Sequence, residues 1–306
     1  MLDTVIIGSG PAGLAAAIYA SRAALNYVVL EKAGYSGGQI VTTNDLDNYP
    51  GMPNIDGASF SMALQEHAEK LGAEIKEATV TAIKQNEDNS YTVEIEGQEP
   101  PILTKSVVLA TGANPRTLNV PGEQQYLSRG VYYCATCDGA FYRNKTTAVI
   151  GGGNTALEDV LFLAKICEKV YLIHRRDELR GDKHSQEKIF AMPNVEFVKS
   201  ALPKSIKGDK KVSAIEIEYK KTGEIVDIPV DGIFVAVGMI PNNQLVPDFV
   251  NTDDAGYVIA DETGKTNAKG FFVAGDLRTK DLRQVLTAAS DGANAIKSVT
   301  DYLNEF

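Results

Sequence analysis

The chain has 306 residues, 44% hydrophobic and 23% charged, an ordinary globular composition with room for two domains. Acidic residues outnumber basic ones 40 to 30, and a net charge of −10 argues against a nucleic-acid surface, because binding phosphates requires a basic footprint. Three cysteines are too few for a secreted disulfide scaffold, and no basic stretch or cleavage site precedes the first apolar run, so a cytoplasmic chain without a membrane span is expected.

Val5-Ile6-Ile7 predicts a short strand, followed by the loop Gly8-Ser9-Gly10-Pro11-Ala12-Gly13. An alanine-rich helix follows from Leu14 to Ala24, and Val28-Val29-Leu30 returns as a strand, which makes a βαβ unit. In such a unit Gly8 permits the tight turn, Gly10 lets a pyrophosphate approach the backbone, and Gly13 lets helix and strand pack closely. The helix N-terminus offers N–H groups and positive partial charge to the phosphates. Glu31, after the second strand, is placed to accept bonds from ribose hydroxyls. A polar, turn-rich stretch from Gly37-Gly38-Gln39 through Asn48-Tyr49-Pro50-Gly51 comes next and could wrap a ring system. Val107-Val108-Leu109 predicts a strand that runs out through Ala110-Thr111-Gly112, with Pro115 three residues on.

Tyr133-Cys134-Ala135-Thr136-Cys137-Asp138 lies directly before a second nucleotide unit. Ala148-Val149-Ile150 opens that unit, Gly151-Gly152-Gly153-Asn154-Thr155-Ala156 is its glycine loop, and Val170 to Ile173 closes it. Between them, Ala156 to Cys167 carries Leu157, Val160, Leu161 and Ala164 at helical spacing. Glu31 stands 23 positions after Gly8, and His174 stands 23 positions after Gly151. Ile233 to Gly238, with Pro241 three residues on, repeats the pattern of Val107 to Gly112 and Pro115. One architecture used twice is the expected reading. The chain then reaches Phe271-Phe272-Val273, ends that strand in Gly275-Asp276, and runs into a final helix from about Gln284 to Leu303.

The fold class expected is α/β, with two Rossmann-like, three-layer nucleotide-binding domains, the second inserted into the first. Residues 1–113 and 244–306 form the first domain, 116–241 the second, and a hinge falls near 113–117 and 241–245. His174 takes the place of Glu31 in the second unit and is followed by Arg175-Arg176 and Arg180. A carboxylate there would repel a 2′-phosphate, whereas arginines bind one bidentately, so NADPH is expected in the second domain. The first domain then takes FAD: Asp276 is placed for ribityl hydroxyls, and Arg283-Gln284-Val285 leads into a helix whose N-terminus favours negative charge.

Cys134 and Cys137 have the spacing of a small redox-active disulfide, though two buried structural thiols would read the same way. Zinc needs four ligands, and Cys167, His67, His174 and His184 stand in no paired spacing, so no metal is expected. Asp138 is positioned as a proton donor to a leaving thiolate and is equally a common turn residue. Cys167 lies on the apolar side of its helix and reads as core.

With these residues in place the chain resembles the low-molecular-weight, bacterial-type thioredoxin reductases of the NADPH- and FAD-dependent pyridine nucleotide-disulfide oxidoreductases. The likeness rests on both glycine loops, Gly37-Gly38-Gln39, Ala110-Thr111-Gly112-Ala113, Cys134 through Gly139, His174-Arg175-Arg176, and Gly275-Asp276 with Arg283-Gln284. It implies a homodimer with non-covalent FAD, Cys137 as the flavin-facing sulfur, Cys134 as the sulfur that attacks thioredoxin, Asp138 as the acid, and a domain rotation. The expected FAD contacts are Gly8, Gly10, Pro11, Ala12, Gly13, Glu31, Gly38, Gln39, Asn48, Ala110, Gly112, Asp276, Arg283, Gln284 and Val285. Those for NADPH are Gly153, Asn154, Thr155, His174, Arg175, Arg176, Arg180 and Gly238. A glutaredoxin-like protein or a small disulfide is an alternative acceptor, and a non-catalytic redox sensor is an alternative role.

Overall fold

The computed structural model describes residues 1–43, 46 and 48–305. Asn44, Asp45 and Asp47, within the loop read as wrapping a ring, and the terminal Phe306 lie outside the described residues. In chain order the elements begin β1 (Leu2–Ile7), α1 (Pro11–Arg22), β2 (Tyr27–Glu31), α2 (Gly57–Lys70), β3 (Ile75–Glu77), β4 (Val80–Gln85), β5 (Tyr91–Ile95), β6 (Gln98–Leu109) and β7 (Ala113–Pro115). They continue β8 (Val131–Tyr132), α3 (Ala135–Asp138), β9 (Thr146–Gly151), α4 (Asn154–Leu163), β10 (Lys169–His174), α5 (Lys183–Phe190) and β11 (Val195–Lys199). Then come β12 (Ala201–Gly208), β13 (Val212–Tyr219), β14 (Ile225–Pro229), β15 (Gly232–Ala236), β16 (Met239–Pro241), β17 (Phe271–Val273) and α6 (Val285–Glu305).

Two compact units result, Met1–Asn114 with Ile240–Phe306, and Pro115–Met239. In the first, β3-β2-β1-β6-β17 run parallel in that order. The N-terminal half of β6 pairs antiparallel with β5, and β5 pairs with β4. Side chains alternate along each strand and separate two cores. Ile6, Val29, Val108 and Phe272 pack under α1 and α6. Val5, Ile7, Val28, Leu30, Val107 and Leu109 face the β4–β5 side, against Ile83, Tyr91 and Val93. Three layers follow: helices, parallel sheet and antiparallel strands.

The second unit repeats the plan. Its parallel order is β11-β10-β9-β15-β8, and the antiparallel meander β12-β13-β14 fills the stretch between β11 and β15, as β4–β5 does between β3 and β6 in the first. Val149, Leu172 and Phe234 pack on α4 through Leu157, Val160 and Leu163. Ala148, Ile150, Ile173 and Ile233 pack on the meander through Ile206, Ile215 and Ile217. Each unit ties its own chain ends together: Asn242 N donates to Gly112 O (2.9 Å) in the first, and Arg116 N to Gly238 O (2.9 Å) in the second.

The helices begin where the glycine loops predict but earlier than the apolar pattern alone marks. α1 starts at Pro11, because proline at the first helical turn lacks an N–H that would be unsatisfied there anyway. α4 runs from Asn154 and closes at Leu163, four residues short of Cys167; Cys167 is nonetheless buried in the helix-side core.

Candidate active site

In the first unit the glycine loop closes on its neighbours so tightly that side chains have no room. A Cβ on Gly8, where φ is +101°, would stand 2.5 Å from the Ala110 carbonyl oxygen, and one on Gly13 would stand 1.8 Å from that of Gly8. Gly10 caps α1 with extended backbone and no side chain over the helix end, leaving the first N–H groups open to an anion. Gly38 approaches the same place; a Cβ on it would lie 3.5 Å from Gly10 Cα. Gln39 Nε2 donates to Ala113 O, and Asn48 Nδ2 donates to Gln284 Oε1 at 2.9 Å. Ala12 faces Gly275, whose Cβ would stand 2.9 Å from Ala12 Cβ. Val285 opens α6 and joins a small core with Leu46 and Phe60.

Asp276 lies in the turn after β17. Its Oδ1 is buried without a partner, and burial pushes the carboxyl upward while Lys280 and Arg283 oppose that shift. The Arg283 guanidinium sits 4.1 Å over the Tyr257 ring and donates to Asp276 O at 3.5 Å. An open helix end, a backbone cradle and a buried acceptor awaiting donors fit the pyrophosphate and polyol of a dinucleotide such as FAD. Glu31 is occupied differently from the sequence expectation. Ser9 N and Ser9 Oγ donate to its Oε2, each at 2.8 Å, and Ala33 N donates to its Oε1 at 3.0 Å. Three of about four acceptor positions on the carboxylate are thus used to hold the loop, leaving one for a ribose hydroxyl.

In the second unit Gly153 caps α4 in extended conformation with no side-chain cap and open space around its Cα. Thr155, in the first turn, is exposed. The loop is braced from the side: Arg180 N donates to Gly152 O at 2.7 Å, and Asp182 N to Asn154 Oδ1 at 2.9 Å. Gly238 adopts φ +111° at the end of the β15 segment. His174 is buried under the loop; a Cβ on Gly152 would stand 2.4 to 2.7 Å from its ring. Burial, then the charges of Arg180, Arg175 and Arg176, hold this imidazole below its ordinary pKa, and a bond to the Gly151 backbone opposes them. Its Nε2 has no partner. The three guanidiniums are exposed. An open helix end with free arginines beyond the neighbouring strand fits a dinucleotide carrying an extra phosphate.

The same unit holds the sulfurs. Cys134 caps the short helix α3, and its Sγ is bonded to Cys137 Sγ with Cα atoms 5.3 Å apart. Both residues are half-buried. Asp138 closes the turn, with its N–H on Cys134 O at 3.2 Å, and is buried. Its charge faces Tyr132 and Tyr142, both raised above the ordinary phenol pKa, first by burial. Among the described residues no cluster of side chains suits a metal ion, and no helix is long and apolar enough to cross a membrane.

The family model for pyridine nucleotide-disulphide oxidoreductases matches residues 2–292. The chain belongs to that family. It is 42% identical to a thioredoxin reductase of Peptoclostridium acidaminophilum, over 98% of this chain and 96% of that one. It is 39% identical to a thioredoxin reductase of Treponema pallidum, over 99% and 97%. The crystal structure of thioredoxin reductase from Streptococcus pyogenes superposes with a TM-score of 0.93 at 43% identity, over 100% of this chain and 99% of that one. Family membership accounts for two glycine loops and a disulfide in one chain.

One residue near the dithiol escaped the sequence reading. Asp159 stands on the buried side of α4, 9% exposed, and its carboxyl takes a bond from the backbone N–H of Ala135, between the two cysteines. Burial, with a smaller push from Glu158, raises it from 3.8 to about 7. The available signal was an acid between Ala156 and Val160, inside an otherwise apolar helical stripe.

Proposed function

We propose that this protein is a thioredoxin-disulfide reductase that carries electrons from NADPH, by way of FAD, to the Cys134–Cys137 disulfide and on to oxidised thioredoxin. The disulfide carries the reading: it closes a half-buried turn in the same unit as the arginine-flanked glycine loop, with a buried carboxyl directly after it. FAD belongs to the first unit, where the α1 end, Asp276 and the Gly10–Gly38 cradle receive it, and NADPH to the second, at the α4 end with Arg175, Arg176 and Arg180. The hinge falls near 113–117 and 241–245, beside the crossings Asn114/Pro115 and Met239/Ile240 between the two units. The protein works as a cytoplasmic homodimer.

Bound FAD supplies a relay for two electrons between a nicotinamide and a disulfide. The chain's own chemistry follows. Two electrons and two protons break the Cys134–Cys137 bond and leave two thiols, and Asp138 holds a proton beside Cys137. Cys134, as thiolate, then attacks one sulfur of the acceptor disulfide and releases the other as thiolate, which takes up a proton. Cys137 attacks Cys134 in the mixed disulfide, restoring the intramolecular bond and freeing the reduced acceptor.

Purified protein is expected to be yellow, to bleach with NADPH far more readily than with NADH, and to turn over thioredoxin. Cys134→Ser is expected to keep the bleaching and lose the turnover. A flavin-free preparation that cannot be reconstituted, or a Cys134→Ser protein that reduces thioredoxin at the wild-type rate, contradicts the assignment.

A further inference from the structure

Behind Asp276 lies a buried ionic cluster that no step above employs. Asp291, on α6, is bridged by Arg278, with Nε on Oδ2 at 2.9 Å and Nη2 on Oδ1 at 2.7 Å. Lys280 Nζ also donates to Asp291 Oδ2, at 2.8 Å, and so does Gly275 N, at 3.0 Å. The side chains of Arg278, Asp291 and Lys280 are 6%, 3% and 5% exposed, so solvent screens none of the three charges.

A mechanical clamp on the Gly275 turn needs only the bidentate Arg278–Asp291 pair. The added ammonium leaves two cations on one carboxylate. A buried charge without compensation is strongly unfavourable, so the surplus calls for a second carboxylate nearby. Asp261 faces Arg278 from an exposed position, where solvent weakens its charge. Asp276 supplies the buried one, next to Gly275, with an Oδ1 that has no hydrogen-bond partner. The charged and titratable groups acting on Asp276 are Lys280 from the following turn, Arg283 from the segment before α6, Asp291 from α6 and Tyr257 from the 253–258 loop. Burial and Asp291 favour its neutral form; Lys280 opposes them first and Arg283 second. Arg283 is shared with the Tyr257 ring, whereas Lys280 is wholly inside the cluster.

We propose that the Arg278–Asp291–Lys280 cluster is a positioning device for Asp276, in which Lys280 supplies the surplus positive charge that fixes the carboxylate form, the form that accepts polyol hydroxyls such as those of the FAD ribityl chain. Arg278 and Asp291 set the turn, and Lys280 sets the charge. The inference rests on placing FAD in the first unit.

The test is retention of flavin by the holoenzyme, read as flavin fluorescence released on dilution at about pH 8 and about pH 5.5. Lys280→Met is expected to hold FAD nearly as wild type does at the higher pH. On acidification it loses about tenfold more affinity than wild type, the loss of one charge-assisted hydrogen bond from a polyol hydroxyl. Lys280→Arg restores the wild-type profile, and in an Asp276→Asn background the Met and Lys proteins share one pH profile. Should Lys280→Met fail to fold, Lys280→Gln keeps a donor for Asp291 while removing the charge, with the same expectation. An equal loss at both pH values, or a pH-dependent difference that survives Asp276→Asn, overturns the proposal. A wild-type protein that binds no flavin overturns the functional reading instead.

Discussion

Replacing Asp159 with asparagine is expected to stabilise the protein, and more so as pH rises. The carboxyl is pushed from 3.8 to about 7 by burial first and Glu158 second. In the unfolded chain it loses its proton near its ordinary value, so between pH 4 and 7 the unfolded state binds fewer protons than the folded one. Stability therefore falls with rising pH across that window and levels off above pH 7. Linkage puts the penalty at about 2 kcal/mol at pH 5 and about 4 kcal/mol at pH 8. Asparagine keeps an oxygen for the Ala135 N–H and carries no charge, so Asp159→Asn removes the penalty. Urea unfolding of the oxidised protein, followed by far-UV circular dichroism, reads the effect as a gain in unfolding free energy over wild type that grows by about 2 to 3 kcal/mol from pH 5 to pH 8. A gain of equal size at both pH values, or a loss at pH 8, refutes the reasoning. The first outcome means that Asp159 does not titrate in the window. The second means that its charged form has a partner worth more than its burial.

Two further variants probe the two nucleotide ends. Arg175→Ala with Arg176→Ala removes exposed guanidiniums beyond β10 and is expected to raise the KM for NADPH at least tenfold, a charged hydrogen bond contributing about 1.5–3 kcal/mol, while the KM for NADH stays unchanged. Steady-state kinetics with both nucleotides decides it, and parallel losses for both would show that the arginines do not meet the 2′-phosphate. Gly292→Ala places a Cβ 2.1 Å from Ala12 O and 2.8 Å from Ala16 N, forcing α6 away from α1. Overpacking of this kind costs about 1–3 kcal/mol, so the thermal midpoint should fall and FAD release should quicken together, because Ala12 belongs to the first glycine loop. A lower midpoint with unchanged flavin release would detach α6 packing from the cofactor site.

The doubled α/β plan was legible because its signals are local. Glycines at fixed spacing, a strand before them and a helix after them leave few alternatives, and Gly8 and Gly13 are held by contacts too close for any Cβ. The buried acids inside helices were not legible in the same way. Asp159 and Asp291 occupy buried positions in α4 and α6, where a sequence shows only an interruption of the apolar stripe. Their meaning comes from partners far along the chain: Ala135 N–H for Asp159, Arg278 and Lys280 for Asp291. Glu31 lies between these cases. Its position was plain, but the Ser9 and Ala33 donors that use most of its acceptor capacity came from loop geometry that spacing does not encode.

Glu31 and His174 hold the same place in the two units and differ in charge, as the proposed NADPH site requires. Each side chain reaches back from the end of its strand to its own glycine loop, Glu31 by hydrogen bonds to Ser9 and His174 by packing its ring against Gly152. The brace is retained in both units while its charge is not. A carboxylate at 174 would stand among Arg175, Arg176 and Arg180 and pair with them, competing with an incoming phosphate. An imidazole held neutral by burial and by those same arginines does not compete. It packs on the loop without drawing the guanidiniums inward, and they stay exposed for the 2′-phosphate of the proposed NADPH site.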